Sequence, residues 1–391
     1  MSGHFPHGTE RPMLFVPLGD GAISPFGLKP RMRAYRVAAM MGLEAAGEDA
    51  LREDGARPVM IQHGGHAVSP GWIDYLRRRP GHVLCYRGTA VLAHASRPGE
   101  RIEAQRLIGG EGGKASVMTL IQAEDVDLAA IDQRHRPFIA PLGEEADCEA
   151  IERALYGAAT PRVSDLISLT VMRPIGFQLT RAAARAGLTA NRVTFLAALF
   201  ALAAFAFFWI GSFGLGLLAA ILFALADTID GKLAKITGTS NRWGRRLDHA
   251  IDIAHPPLWY IGWMSGLEQG DKALEPVYAL LLLATIVAAY VAIRGSEILF
   301  ERRFHFAMHL WKPFDSRFHA VAARRNINIA LLALSALLLK PEWGIQWVAF
   351  WSLVTAMILG ARLAAARSAL FRREKVTSWL LPIPDESDEG A

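Results

Sequence analysis

Apolar residues fall into two regimes along the chain. Up to about residue 165 they come in short runs between polar stretches, at 13–18 (MLFVPL), 58–62 (PVMIQ), 82–86 (HVLCY) and 90–94 (AVLAH). Runs of this length read as strands buried on both faces. Helical stretches at 31–46 and 70–78 lie between them. Strands alternating with helices predict an α/β domain with a largely parallel sheet. Residues 95–147 give a weaker pattern. Their glycine-rich patch, Gly109 to Lys114, lacks phosphate-loop spacing and reads as a surface turn.

From residue 191 the apolar runs lengthen to about 20 residues, enough to cross a bilayer. Six spans are expected, at 192–211, 213–236, 247–267, 274–294, 326–340 and 343–365. An even number puts both ends of this part on one side. In 148–190, Arg173, Arg181 and Arg185 interleave with Ile175, Phe177 and Leu179, the pattern of an amphipathic helix on a lipid surface or of a soluble linker helix. The expected organisation is a soluble α/β domain over 1–147, juxtamembrane helices over 148–190, an α-helical integral membrane domain of six transmembrane helices over 191–372, and an acidic, disordered tail over 373–391.

Composition narrows the class. Hydrophobic residues make up 52% of the chain and charged residues 20%, which excludes a disordered chain. Cys85 and Cys148 offer neither a disulfide framework nor a zinc pattern. The net charge of +5 does not point to nucleic acid, because the basic residues flank the apolar runs and suit anionic headgroups and substrates. One set of loops holds Lys232, Lys235, Arg242, Arg245, Arg246, Arg302, Arg303, Lys312, Arg317, Arg324 and Arg325, and the other little beyond Lys272 and Lys340. The positive-inside rule therefore places the N-terminal domain and the basic loops in the cytoplasm, on a bacterial inner membrane. The first residues lack the apolar core of a signal peptide.

Chemistry concentrates where the second span ends and the third begins. The chain reads Asp227-Thr-Ile-Asp230-Gly231-Lys-Leu-Ala234-Lys235, then Gly244-Arg-Arg-Leu-Asp248-His-Ala-Ile-Asp252. Spacings of three and four residues put each aspartate pair on one helix face. Two such faces meeting would gather four carboxylates, which repel one another unless cations join them. Oxygen ligands favour Mg²⁺, Mn²⁺ or Ca²⁺. Helix caps would explain one aspartate per helix, not two matched pairs. A transporter would carry its acids near the bilayer midplane, whereas these lie at the boundary. A catalytically inactive membrane scaffold is the other alternative.

The motif resembles the signature of the CDP-alcohol phosphotransferases, D-x2-D-G-x2-A-R-x8-G-x3-D-x3-D, with Lys235 standing where the family has arginine. Lysine keeps the charge and loses the planar fork. Residues 190–194, Ala-Asn-Arg-Val-Thr, are similar to the family's P-N-x-V-T segment. The resemblance covers about residues 160–370. It implies an enzyme in which an alcohol attacks a CDP-linked donor and CMP leaves, in phospholipid or polyol-phosphodiester biosynthesis. Asp227, Asp230, Asp248 and Asp252 would hold a two-metal centre of Mg²⁺ or Mn²⁺, with Asp252 as general base. Asn191, Thr194, Asp227, Gly231, Ala234, Lys235 and Gly244 would form the CDP site. Arg324, Arg325 and Asn326 are the candidates for acceptor binding. The donor is CDP-diacylglycerol or a CDP-polyol, and the family implies a homodimer. His255, beside Pro256 and Pro257, reads as a core histidine. Residues 1–147 resemble a degenerate cytidylyltransferase, as fused to the membrane domain in bifunctional inositol-phosphate relatives. Gly19-Asp20-Gly21 and Lys29-Pro30 only loosely follow its nucleotide loop, and His63-Gly64-Gly65-His66 stands where its metal-binding aspartate would be expected.

Overall fold

The computed structural model describes residues 12–52, 57–111, 115–132, 135–239 and 242–380. Gly112, Gly113 and Lys114 of the glycine-rich patch, and the tail beyond residue 380, lie outside the described residues. Contacts divide the chain into two units. The first is Met1–Thr160 with Ala184–Ala186 and Leu233–Thr239, and the second is Pro161–Ala183 with Gly187–Lys232 and Ser240–Ala391.

The first unit runs β1 (Leu14–Leu18), α1 (Pro30–Met40), β2 (Glu44–Ala45), β3 (Val59–His63), β4 (His66–Val68), α2 (Pro70–Arg77), β5 (His82–Tyr86), β6 (Thr89–Ala95), α3 (Pro98–Ile108), β7 (Thr119–Gln122), α4 (Leu128–Ile131), β8 (Ile139–Pro141) and α5 (Cys148–Ala159). One sheet has the order β2-β1-β3-β6-β5-β7, and β4 pairs with β8 in a second. The expected short strands are present, but the sheet is mixed rather than largely parallel. β1 runs parallel to β2 and β3, and β5 parallel to β7, while β6 is antiparallel to both its neighbours. The reason is local. Only Arg87 and Gly88 separate β5 from β6, and both have positive φ (50° and 78°). A two-residue turn of that kind makes a hairpin, so no helix crosses over between these strands.

The strands are apolar throughout because both faces are covered. Phe15, Met60 and Leu84 pack with Val37 of α1 and with Trp72 and Leu76 of α2. Their neighbours Val16, Ile61 and Val83 pack with Ala104 and Ile108 of α3. Past the strand ends, a Cβ on Gly64 would fall 2.2 Å from the Gly19 carbonyl oxygen, and the Gly64 amide donates to the Leu18 carbonyl at 2.7 Å. The two loops expected to resemble nucleotide-binding segments are thus pressed together.

The second unit is helical. A five-residue π-helical turn, Ser168–Met172, leads into α6 (Arg173–Arg185). Then come α7 (Ala190–Trp209), α8 (Phe213–Thr237), α9 (Arg242–Gln269), α10 (Pro276–Phe304), α11 (Pro313–Val321), α12 (Arg325–Leu337) and α13 (Pro341–Phe371). Four of these, α7, α8, α10 and α13, are long and apolar enough to cross a membrane, and the bent pair α11 and α12 would make a fifth. The helices fit an integral membrane protein, with four to five candidate spans among the described residues where six were expected. The stretch expected as the third span lies in α9, which is long enough at 28 residues. Its charged N-terminal turns and its His255-Pro256-Pro257 segment dilute its apolar character.

Small residues let the helices approach. A Cβ on Gly266 of α9 would lie 2.1 Å from the Phe208 carbonyl oxygen and 2.9 Å from the Gly211 Cα. Close crossings of this sort hold helices together in lipid, where burial of apolar surface supplies little drive. The buried indoles of Trp259 and Trp263 donate to the Ala201 and Pro341 carbonyls, each at 2.9 Å, which satisfies their polar ends. Gly266→Val should force α7 and α9 apart and cost about 1–3 kcal/mol, read as a lower unfolding temperature in detergent. At Gly295 of α10 an added Cβ meets nothing within 4 Å, so Gly295→Ala should be neutral or stabilising.

Candidate active site

The four signature aspartates come from two helices of the second unit, Asp227 and Asp230 from α8 and Asp248 and Asp252 from α9. One carboxylate oxygen each from Asp227, Asp230 and Asp248 lies within 4.8 Å of the others. Such a group of hard oxygen donors suits a divalent cation of the Mg²⁺, Mn²⁺ or Ca²⁺ type. Asp230 is buried, and its Oδ2 accepts a 2.6 Å hydrogen bond from the Thr194 hydroxyl of α7. Thr194 thereby holds one of the three carboxylates from a third helix.

Asp252 stands apart from the trio and is joined to it by Arg325. The guanidinium Nη2 donates to Asp227 Oδ2 at 2.6 Å, and Nη1 lies 3.6 Å from Asp252 Oδ1. Its Cζ sits 5.1 Å from the centre of the Phe223 ring. The Asp252 side chain is 41% exposed against 19% for Asp227, so Asp252 is the more open of the two carboxylates that Arg325 touches. Both line a cavity of about 250 Å³, with Asp165, Arg294, Glu297 and Arg324. His255 also lines it, but as a core residue. Its Nδ1 lies 2.8 Å from the Ile251 carbonyl and its ring packs on Phe223 and Trp259.

The remaining sequence candidates divide. Gly231, one residue past Asp230, is exposed, and an added Cβ would meet nothing within 4 Å. A glycine inside a helix costs about 1 kcal/mol relative to alanine, and no neighbour among the described residues requires this one. Asn191 lies on the first turn of α7, three residues before Thr194, and Gly244 on the first turn of α9. Ala234 and Lys235, a turn beyond Gly231, fall in the first unit. There the Lys235 ammonium lies 3.0 Å from His135 Nε2 and 3.4 Å from the Ala159 carbonyl.

Each of the three acceptor candidates is engaged within the protein. Arg324 pairs with Glu297, Arg325 pairs with the aspartates, and Asn326 Nδ2 donates to Asp165 and Ser168. Asp165 and Glu297 were not among the sequence candidates. Glu297 had a signal, being an acid within a long apolar helix. Asp165 had none, since it lies far from the signature in sequence.

Residues 187–369 match the family model described as CDP-alcohol phosphatidyltransferase. Among characterised proteins, the chain is 30% identical over 136 residues to a phosphatidylinositol phosphate synthase of Mycobacteroides abscessus. The matched stretch is 34% of this chain and spans 62% of that relative's length.

Mn²⁺ binding, followed by the loss of the free-ion electron paramagnetic resonance signal, checks the cluster without turnover. Asp230→Asn should weaken binding by at least tenfold. Thr194→Val, which removes the hydroxyl that contacts that carboxylate and the Ala190 carbonyl, should cost about 10–100-fold, as partners behind metal ligands do elsewhere.

Proposed function

We propose that residues 187–369, a domain of the CDP-alcohol phosphatidyltransferase family, transfer a substituted phosphate from a CDP-linked donor to an alcohol and release CMP. The observation that carries this reading is the meeting of both aspartate pairs of the signature. Three carboxylates lie within metal-ligand range of one another, and the fourth, beside a polar cavity, is tied to them by Arg325.

Asp227, Asp230 and Asp248, with Asp252 at the margin, would hold the divalent cations. The cations supply positive charge against the diphosphate and the departing CMP. The open face at Gly231 lets the donor come close to the helix backbone. Asp252 accepts the proton of the acceptor hydroxyl, and the oxygen attacks the β-phosphorus. The bond from that phosphorus to the bridging oxygen breaks, and its electron pair leaves with CMP. A carboxylate serves as base here if it is well placed and the proton moves late.

The synthase relative suggests which substrate is the lipid. A phosphatidylinositol phosphate formed with loss of CMP takes its phosphatidyl group from CDP-diacylglycerol and its headgroup from a polyol phosphate. The cavity beside Asp252 suits that headgroup. Arg294, Arg324 and Arg325 line it, a basic lining that suits a phosphate. The membrane setting and the basic loops support an active site at the cytoplasmic face.

CMP release by the purified chain in lipid discs tests the reading. CDP-diacylglycerol with inositol phosphate and Mg²⁺ or Mn²⁺ should give CMP, and a chelator should stop it. Asp252→Asn should lower turnover by about 10²–10⁴-fold, the usual reach of general base catalysis. Near-normal turnover in that variant removes Asp252 from the role. Release only from a CDP-polyol reverses the assignment of the lipid.

A further inference from the structure

Asp165 lies outside the signature, yet its carboxylate is buried at 8% exposure and lines the cavity that holds Asp227 and Asp252. Part of its setting is local. The residue precedes a helical turn, and its oxygens accept from the Ser168 amide at 2.9 Å and from the Ser168 hydroxyl at 2.6 Å. A helix cap needs no more than this. The cap does not account for Asn326, 161 residues away, whose amide nitrogen lies 3.2 Å from both carboxylate oxygens and 2.9 Å from Ser168 Oγ. Asn326 is itself buried at 7% exposure, so this contact between distant segments is desolvated and its loss would leave a buried charge short of partners.

The position of Asn326 gives the contact its meaning. Arg325 and Asn326 are consecutive on the first turn of α12. One side chain reaches Asp227 and Asp252, and the other reaches Asp165. Asp165 also interacts electrostatically with Arg324 and Arg325. Beyond Asp165 the chain makes the π-helical turn Ser168–Met172, a geometry that is uncommon and poor in intrinsic stability. Leu166, Leu169 and Val171 on this stretch are exposed, so packing by these side chains does little to hold it.

We propose that Asp165 and Asn326 form a latch that positions the first turn of α12, and with it the Arg325 guanidinium, while holding the π-helical segment as a wall of the acceptor cavity. Both are positioning residues. Their effect reaches the reacting atoms through Arg325 and through the shape of the cavity, not by contact with the reacting atoms. The proposal rests on the reading of the cavity as the acceptor site.

The test exchanges the two groups. Asn326→Asp sets two carboxylates against each other in a buried place, which is unfavourable for both. The double variant Asp165→Asn with Asn326→Asp puts the donor on the other side and restores the pair. The single variant should raise the KM for inositol phosphate by about tenfold or more, the worth of a hydrogen bond to a charged group, and leave the KM for CDP-diacylglycerol unchanged. The double variant should recover most of the loss. Amide hydrogen exchange over residues 166–172, measured without substrates, should speed up in the single variant and return to the original rate in the double.

Three results would overturn the latch: unchanged exchange in Asn326→Asp, no recovery in the double variant, or a parallel loss of kcat and of both KM values together with thermal stability. If the unaltered chain releases CMP from no donor, the reading of function fails, and the exchange pattern still decides for or against the latch.

Discussion

Like charges must be brought together at the end of two helices, and the arrangement of the second unit follows from how that repulsion is met. Asp227, Asp230, Asp248 and Asp252 would not remain close in a medium of low dielectric without compensating positive charge. Arg325 supplies part of it, with one fork nitrogen on Asp227 and another near Asp252. Lysine could supply the charge but not the two-pronged geometry. Asp227, Asp230 and Asp248 each offer an oxygen to a cluster that could hold a divalent cation. The site therefore needs α8, α9 and α12 at once, and α7 as well through Thr194.

That requirement explains features of packing that are otherwise scattered. Gly266 lets α7 and α9 touch backbone to backbone, the two helices that carry Thr194 and the α9 aspartates. Gly344 of α13 comes equally close to α12, since a Cβ there would lie 2.2 Å from Ser335 Oγ. Close crossings fix helices in lipid more firmly than long apolar side chains can. Gly231 is different in kind. Nothing among the described residues occupies the space of its missing side chain, and the reading that a ligand does so ties its cost in the helix to function.

Much of this was legible in the sequence, because the strongest signals were local. Apolar run length gave the long helices, and the spacing of Asp227 with Asp230 and of Asp248 with Asp252 gave two acidic faces. What could not be read depended on distant partners or on competing local rules. The mixed sheet was missed although Arg87-Gly88, only two residues between two strands, carried the sign of a hairpin. α9, expected to hold the third span, is long enough, but its polar first turns and Pro256-Pro257 make it less apolar than the helices around it. Arg324, Arg325 and Asn326 were found as a group, but not their partners. Their side chains reach four different acids, Glu297, Asp227, Asp252 and Asp165, and no spacing rule connects residues so far apart in the chain.

The central claim is that this site joins two molecules rather than cleaving one. Phosphorus nuclear magnetic resonance of a complete reaction, with CDP-diacylglycerol, inositol phosphate, Mg²⁺ and the chain in lipid discs, addresses it most directly. The account predicts one new phosphodiester resonance growing in equal amount with CMP. Phosphatidate appearing with CMP, and no new phosphodiester, would contradict it, since water rather than an alcohol held in the cavity would then be the group that attacks.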